Sequence, residues 1–249
     1  MTSITGHRGA RDLWPENSLG GFRNVLALDV DAVEFDVHLT GDGELVVIHD
    51  ATLDRTSEGT GPVSRLSVEE RGTLRLKGCD ETIPTFADVL ETLAPATEKR
   101  LHVEIKSDSE GQPYEGIVER VVSEIDRLDL RSRCHLTSFD ISVLEECRKV
   151  APDIARLVSV NATWADRQGG IDTFLTRVTG LVDIVAIHHE LLEARWGAVT
   201  ASIPAERLCV WTLNEEALIR AWLDRGVGHL TSDRPDLALS LRAEAAAAA

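Results

Sequence analysis

Ala32-Val33-Glu34-Phe35-Asp36-Val37-His38 is the stretch on which the fold turns. Successive side chains of an extended backbone point to opposite faces. Val33, Phe35 and Val37 therefore share one face, and Glu34, Asp36 and His38 share the other. If helices cover the apolar face, two carboxylates point into the interior of the sheet. Leu101-His102-Val103-Glu104-Ile105-Lys106 repeats the device: Val103 and Ile105 alternate with His102, Glu104 and Lys106. Two inward carboxylates side by side are costly unless something positive neutralises them, and a third enters from this second strand.

Outward from these two runs, short β-rich segments alternate with longer helical patterns along the whole chain. The pattern predicts strands at about 2–7, 32–38, 101–106, 133–138, 154–160, 182–188, 207–212 and 228–232. Helices are expected at about 18–29, 85–94, 113–128, 140–150, 170–179, 190–201, 215–225 and 235–246. Strands alternating with helices argue for a parallel sheet. Eight such units predict a TIM (β/α)8 barrel, and 249 residues suit a single domain of that kind over 1–249. Asp140 and Asn214 stand where helix caps are expected, and Gly226 where a helix ends. Residues 50–84 break the rhythm, preceded by an extra β run from Glu44 to His49. They are expected to form a small insertion on the C-terminal face, where loops build sites. The alanine-rich tail, 244–249, reads as a frayed helix extension.

Composition narrows the function. With 42 Asp and Glu against 26 Lys and Arg, the net charge is −16, the opposite of the basic footprint that nucleic acid requires. A local cationic pocket is still compatible with that total. No apolar run approaches the length of a membrane span. No basic amphipathic helix suggests stable membrane association, and the opening Met1–His7 lacks the character of a secretory signal. A cytoplasmic location is expected. Cys79, Cys134, Cys147 and Cys209 have neither zinc-ligand nor disulfide spacing and read as reduced thiols.

Glu34, Asp36 and Glu104 at the ends of neighbouring strands form a hard, all-oxygen set suited to one divalent metal, Mg²⁺ or Ca²⁺. The same acids could instead pair with Lys106 and nearby arginines. His102 falls lower in the barrel, as a core residue. His7 ends the first strand and His49 ends the β run after strand 2, and two histidines at strand ends can supply an acid and a base near neutral pH. Arg8 offers planar, bidentate recognition of phosphate.

These residues carry a resemblance. His7-Arg8-Gly9, Pro15-Glu16-Asn17, Glu34-x-Asp36-Val37, Asp42-Gly43, Val47-Ile48-His49-Asp50 and Leu53-x-Arg55-Thr56 resemble the glycerophosphodiester phosphodiesterases of the compact bacterial cytoplasmic type. Glu104-Ile105-Lys106, Ser138-Phe139, Val210-Trp211-Thr212-x-Asn214 and Ser232-Asp233-Arg234-Pro235 continue it along the chain. Gly228-His229 departs from the Asp-Gly of many relatives, and Ser232 from their Thr. The resemblance implies a TIM barrel with an insertion after strand 2, a metal on Glu34, Asp36 and Glu104, and His7 and His49 as the acid/base pair. Arg8 and Lys106 would contact phosphate. The implied reaction is metal-dependent hydrolysis of a small glycerophosphodiester to sn-glycerol 3-phosphate and an alcohol, with attack by the substrate's own 2-hydroxyl or by water. Trp211 and Phe139, at strand ends, suit an apolar wall beside the glycerol carbons or ordinary packing. Glu16 and Asn17 are expected to brace the first loop. His188 and His189 could face the pocket, cap a helix or lie at the surface.

Competing readings keep the scaffold. One is a related barrel phosphodiesterase, phospholipase D-like, acting on lysophospholipid or sugar phosphodiesters. A second is a metal-dependent enolising barrel, which would not need the paired histidines. A third is a non-catalytic ligand-binding barrel.

Overall fold

Val33, Phe35 and Val37 are fully buried, and Phe35 lies edge-on to Phe22 at 5.7 Å and tilted against Phe86 at 6.1 Å. The apolar face of the deciding strand thus meets helices. In the computed structural model, which describes residues 1–248, the strands are Ser3–Gly6 (β1), Ala32–Leu39 (β2), Leu45–Val47 (β3), Arg100–Ile105 (β4), Cys134–Ser138 (β5), Ala155–Val160 (β6), Ile184–His188 (β7), Leu208–Trp211 (β8) and His229–Ser232 (β9). The helices are Leu19–Val25 (α1), Val68–Thr73 (α2), Phe86–Leu93 (α3), Ile117–Arg127 (α4), Ile141–Val150 (α5), Ala162–Arg167 (α6), Ile171–Val178 (α7), His189–Thr200 (α8), Glu216–Asp224 (α9) and Pro235–Ala248 (α10). The predicted frayed tail is thus the last part of α10, except for Ala249, which lies outside the described residues.

All strands but β3 pair in parallel, in the order β1-β9-β8-β7-β6-β5-β4-β2, and β1 closes the ring against β2. This is the predicted TIM barrel. The register sets Asp36 beside Glu104, so the three inward carboxylates meet because their strands are neighbours. β3 folds back antiparallel on β2, with Val37 opposite Val47. The segment that follows has an apolar cluster of its own, including Ile48, Leu53, Val63, Leu66, Leu76 and Ile83.

Several details differ from the sequence-based expectation, among them the unexpected α2 within the insertion and the early end of α1 at Val25. Asn214 does not cap α9: Glu215 holds the N-cap position without a side-chain bond, and Asn214 turns instead to Asp233. The helix expected from 113 begins only at Ile117, because Gly116 precedes it with φ of 70°. α6 was not anticipated, as six residues are too few to print a helical period. Its N-cap is Asn161, which accepts from the Trp164 amide. The departure at Gly228 has a steric cause: a Cβ there would lie 2.0 Å from the carbonyl oxygen of Glu206.

The barrel floor is polar. His102, His135 and His229 point inward near the strand N-termini, with His102 and His135 edge to face at 5.0 Å. Burial lowers the pKa of all three, that of His135 to about 4. Each is therefore neutral in the fold while its unfolded counterpart titrates near 6.5. The unfolded chain binds more protons between these values, so stability is intact above about pH 6.5 and is lost as pH falls towards 4. The melting temperature should drop by about 5 °C or more between pH 7 and pH 5, and by less in a His135→Leu variant. Equal slopes in the two proteins would remove the floor histidines as the cause.

Candidate active site

At the C-terminal end of β1 the chain makes a tight turn through His7-Arg8-Gly9. Arg8 (φ 52°), Ala10 (φ 68°) and Asn17 (φ 56°) are all left-handed, a conformation that costs a non-glycine residue roughly 1–3 kcal/mol. Tertiary bonds hold it. The Arg8 amide donates to Glu34 Oε2 at 3.1 Å and the Asn17 amide nitrogen Nδ2 to Asp36 Oδ2 at 2.9 Å. Arg8 Nη1 donates to Glu16 Oε1 at 3.2 Å. Glu16 also receives two bonds from Arg55, at 2.7 and 2.8 Å. Glu16 and Asn17 therefore brace this loop, the first across to the insertion and the second onto the carboxylates.

Glu34, Asp36 and Glu104 each bring one oxygen within 4.8 Å of the others. Asp36 has no exposed surface, and the other two almost none. Lys106 Nζ lies 2.5 Å from Glu104 Oε1 and 3.0 Å from Asp36 Oδ1, and Arg8 Nε lies 3.4 Å from Asp36 Oδ2. The ion pairing considered from sequence thus exists, but two cations do not balance three carboxylates. Burial, then the neighbouring Asp36 and Glu104, push the Glu34 carboxyl well above its ordinary range. Burial acts on Asp36 in the same direction but is outweighed by Lys106, His49 and Arg8, which hold it well below. Like charges this close cannot all ionise without a further cation. Glu34 Oε1 is buried with no hydrogen-bond partner, so a donor set of hard oxygens with one unused lone pair and excess negative charge fits a divalent metal.

The two histidines are mounted alike. His7 Nδ1 lies 2.5 Å from Asp233 Oδ1, and His49 Nδ1 lies 2.6 Å from Asp50 Oδ1. With Nδ1 donating to a carboxylate, each ring is left an Nε2 lone pair, and that of His7 is 3.8 Å from Glu34 Oε2. Burial lowers both imidazoles below their usual value, against the opposing pull of the carboxylates. The supports differ. Asp233 is wholly buried, accepts from Asn214 Nδ2 at 2.7 Å and pairs with Arg11 Nε at 2.8 Å. Asp50 is partly exposed and receives Arg55 at 2.6 and 3.1 Å.

His7, Arg8, His49 and Lys106 open into a cavity of about 250 Å³ whose far side is Phe139 and Trp211. These two rings are edge to face at 5.6 Å, and His188 packs on Trp211 at 5.1 Å. Every residue predicted for the site borders this cavity except Asp36, which lies behind it. His188 backs the aromatic wall but does not line the cavity, and His189 stacks on His188 at 4.6 Å. Sequence reasoning assigned no part in the site to Asp233, Asn214, Asp50, Arg55 or Arg11. All but Arg11 stand inside the quoted motifs, which was the signal available for them; Arg11 had none.

The model of the glycerophosphoryl diester phosphodiesterase family matches residues 7–237. A glycerophosphodiester phosphodiesterase of Bacillus altitudinis is 30% identical over 98% of this chain and 99% of its own. One from Caldanaerobacter subterraneus is 35% identical over 61% of this chain, the matched part being 64% of that protein. Among solved structures, a putative glycerophosphoryl diester phosphodiesterase from Agrobacterium tumefaciens superposes with a TM-score of 0.89 at 27% identity, covering 99% of both chains. A phosphodiesterase of Oleispira antarctica, solved in complex with the product sn-glycerol-3-phosphate, shares the fold, with a TM-score of 0.79 at 24% identity over 97% of this chain and 96% of that one.

Proposed function

The chain belongs to the glycerophosphoryl diester phosphodiesterase family, and from that premise we propose that it cleaves small glycerophosphodiesters to sn-glycerol 3-phosphate and an alcohol, using His7 and His49 as acid and base and one divalent metal, Mg²⁺ or Ca²⁺. The observation that carries this reading is the convergence of two carboxylate-mounted imidazoles on a buried triad of carboxylates.

Glu34, Asp36 and Glu104 would hold the metal, which when bound supplies positive charge to phosphate oxygens. Arg8 and Lys106 bind the phosphate and stabilise the charge that builds on it. Burial works to deprotonate both cations, but the neighbouring carboxylates outweigh it and keep them protonated. One histidine accepts the proton of the attacking oxygen through Nε2, and the other delivers a proton to the departing alcohol. Both Nδ1 atoms stay tied to carboxylates, so neither ring can turn away between the two events. Trp211 and Phe139 exclude water from the glycerol carbons. Among the described residues no helix is long and apolar enough to cross a membrane, which suits a small, dissolved substrate and the cytoplasm as its place of work.

A panel of glycerophosphodiesters assayed for release of glycerol 3-phosphate tests the reading. Activity should vanish in EDTA and return on adding Mg²⁺ or Ca²⁺. Undiminished turnover in the chelator would remove the metal from the three carboxylates.

A further inference from the structure

Arg11 sits where neither the metal triad nor the phosphate needs a cation. Asp233 and Glu34 approach opposite nitrogens of the His7 ring, the first at Nδ1 and the second at Nε2. Arg11 attaches to Asp233 through Nε at 2.8 Å, so the imidazole stands between its guanidinium and the triad. The Arg11 side chain is about one-third exposed, 35%, and borders the active-site cavity. Among the described residues neither of its Nη groups hydrogen-bonds to the protein. The buried carboxylate occupies Nε, which leaves the Nη1–Nη2 edge for a ligand in the cavity that Arg11 borders. Arg8 and Lys106, by contrast, also pair with the triad.

The charge around the cavity is lopsided. The only carboxylates that line it among the described residues are Glu34 and Glu104, and both belong to the metal set. No acidic group is free to meet a cationic part of a substrate. The aromatic wall of Phe139 and Trp211 could offer a ring face to an ammonium, but such a group would share the cavity with Arg11 and gain no counter-charge.

From this arrangement we propose that Arg11 selects the alcohol half of the diester, favouring leaving groups that carry a negative charge over those that carry a quaternary ammonium. This rests on the diesterase activity proposed above and names its substrate class. The glycerol half is neutral and the same in every substrate, so a fixed charge on the far side of His7 can discriminate only through the alcohol. A guanidinium whose Nη1–Nη2 edge is free suits a carboxylate or a second phosphate, which it binds through paired N–H bonds.

The test is a matched set of three diesters, glycerophosphoglycolate, glycerophosphoglycerol and glycerophosphocholine, with anionic, neutral and cationic leaving alcohols. For the native enzyme kcat/KM should be highest for the first and lowest for the last, spread by about tenfold or more, as one partly exposed charge contact allows. Arg11→Gln should collapse the ratio between the first and the last, while Arg11→Lys, which keeps the charge, should retain most of it. The ratio is insensitive to any loosening of Asp233 and His7, which slows all three alike. A common loss on all three in Arg11→Gln with the ratio preserved, or a native preference for the choline diester, overturns the inference. No hydrolysis of any of the three with metal present would instead bring down the diesterase reading itself.

Discussion

Replacing His7 or His49 by glutamine is expected to lower kcat by about 10²–10⁴, the usual contribution of a positioned general acid or base. Glutamine keeps a polar side chain of similar reach but cannot exchange a proton near neutrality. KM should change little, because Arg8 and Lys106 still bind the phosphate and the triad can still hold the metal. The double variant should lose far less than the product of the two single losses, since groups that act in one proton circuit are not additive. Melting temperatures of the single variants report whether the fold survives. His49 stands partly open to solvent with an exposed Arg55 beneath its carboxylate, so His49→Gln in particular should melt near the parent. Either single variant with full activity would refute the acid/base assignment.

Asp233→Asn is the second large effect, about 10²–10⁴ in kcat, by the tautomer logic that applies where a buried carboxylate holds a catalytic imidazole. Asp233 is an acceptor to every neighbour that approaches its side chain: His7 Nδ1, Asn214 Nδ2 and Arg11. An amide must present one donor among them. If Nδ2 faces His7, the ring must accept there and carry its proton on Nε2, the nitrogen that faces Glu34. If Nδ2 faces Asn214, that amide must turn over, which breaks its bond from the Asp233 backbone nitrogen at 2.9 Å. Burial works to raise the Asp233 carboxyl, but the bond to His7 and its partners bring it down to about 2, so the residue is ionised at any working pH. The measurement is kcat beside the ¹⁵N shifts of the His7 ring. A merely structural role would lower the melting temperature without moving the ring proton from Nδ1 to Nε2. Native kcat together with native shifts would refute the positioning role.

Much of the fold was legible because the barrel repeats a local rule. Val33-Glu34-Phe35-Asp36-Val37 alternates with period two, and its neighbour Val103-Glu104-Ile105 does the same, so strand direction and inward acids followed from the chain alone. Gly226 marks a real helix boundary because its left-handed backbone is a local property, whereas the boundary at Gly116 was passed over in a helix expected from 113. The helix α6 was not legible: six residues offer less than two turns of pattern, and their stability comes from packing and from Asn161. Asn214 was misread for a related reason. Its position before Glu215-Glu216 suits a cap, but a buried carboxylate reached through the tertiary fold competes for the same amide and wins.

By itself the sequence determined the alternation that builds a closed parallel barrel, the three acids that face its centre, and the two histidines at strand ends. Those are consequences of residue type and spacing within single strands. Only the tertiary structure decided what each of these groups touches. His7 and Asp233 are separated by 226 residues and meet because β9 pairs with β1 as the ring closes. Arg11 acquires its place by the same contact. A hydrogen bond between strands at the two ends of the chain has no local signature, because barrel closure, which sets its register, depends on all the strands together.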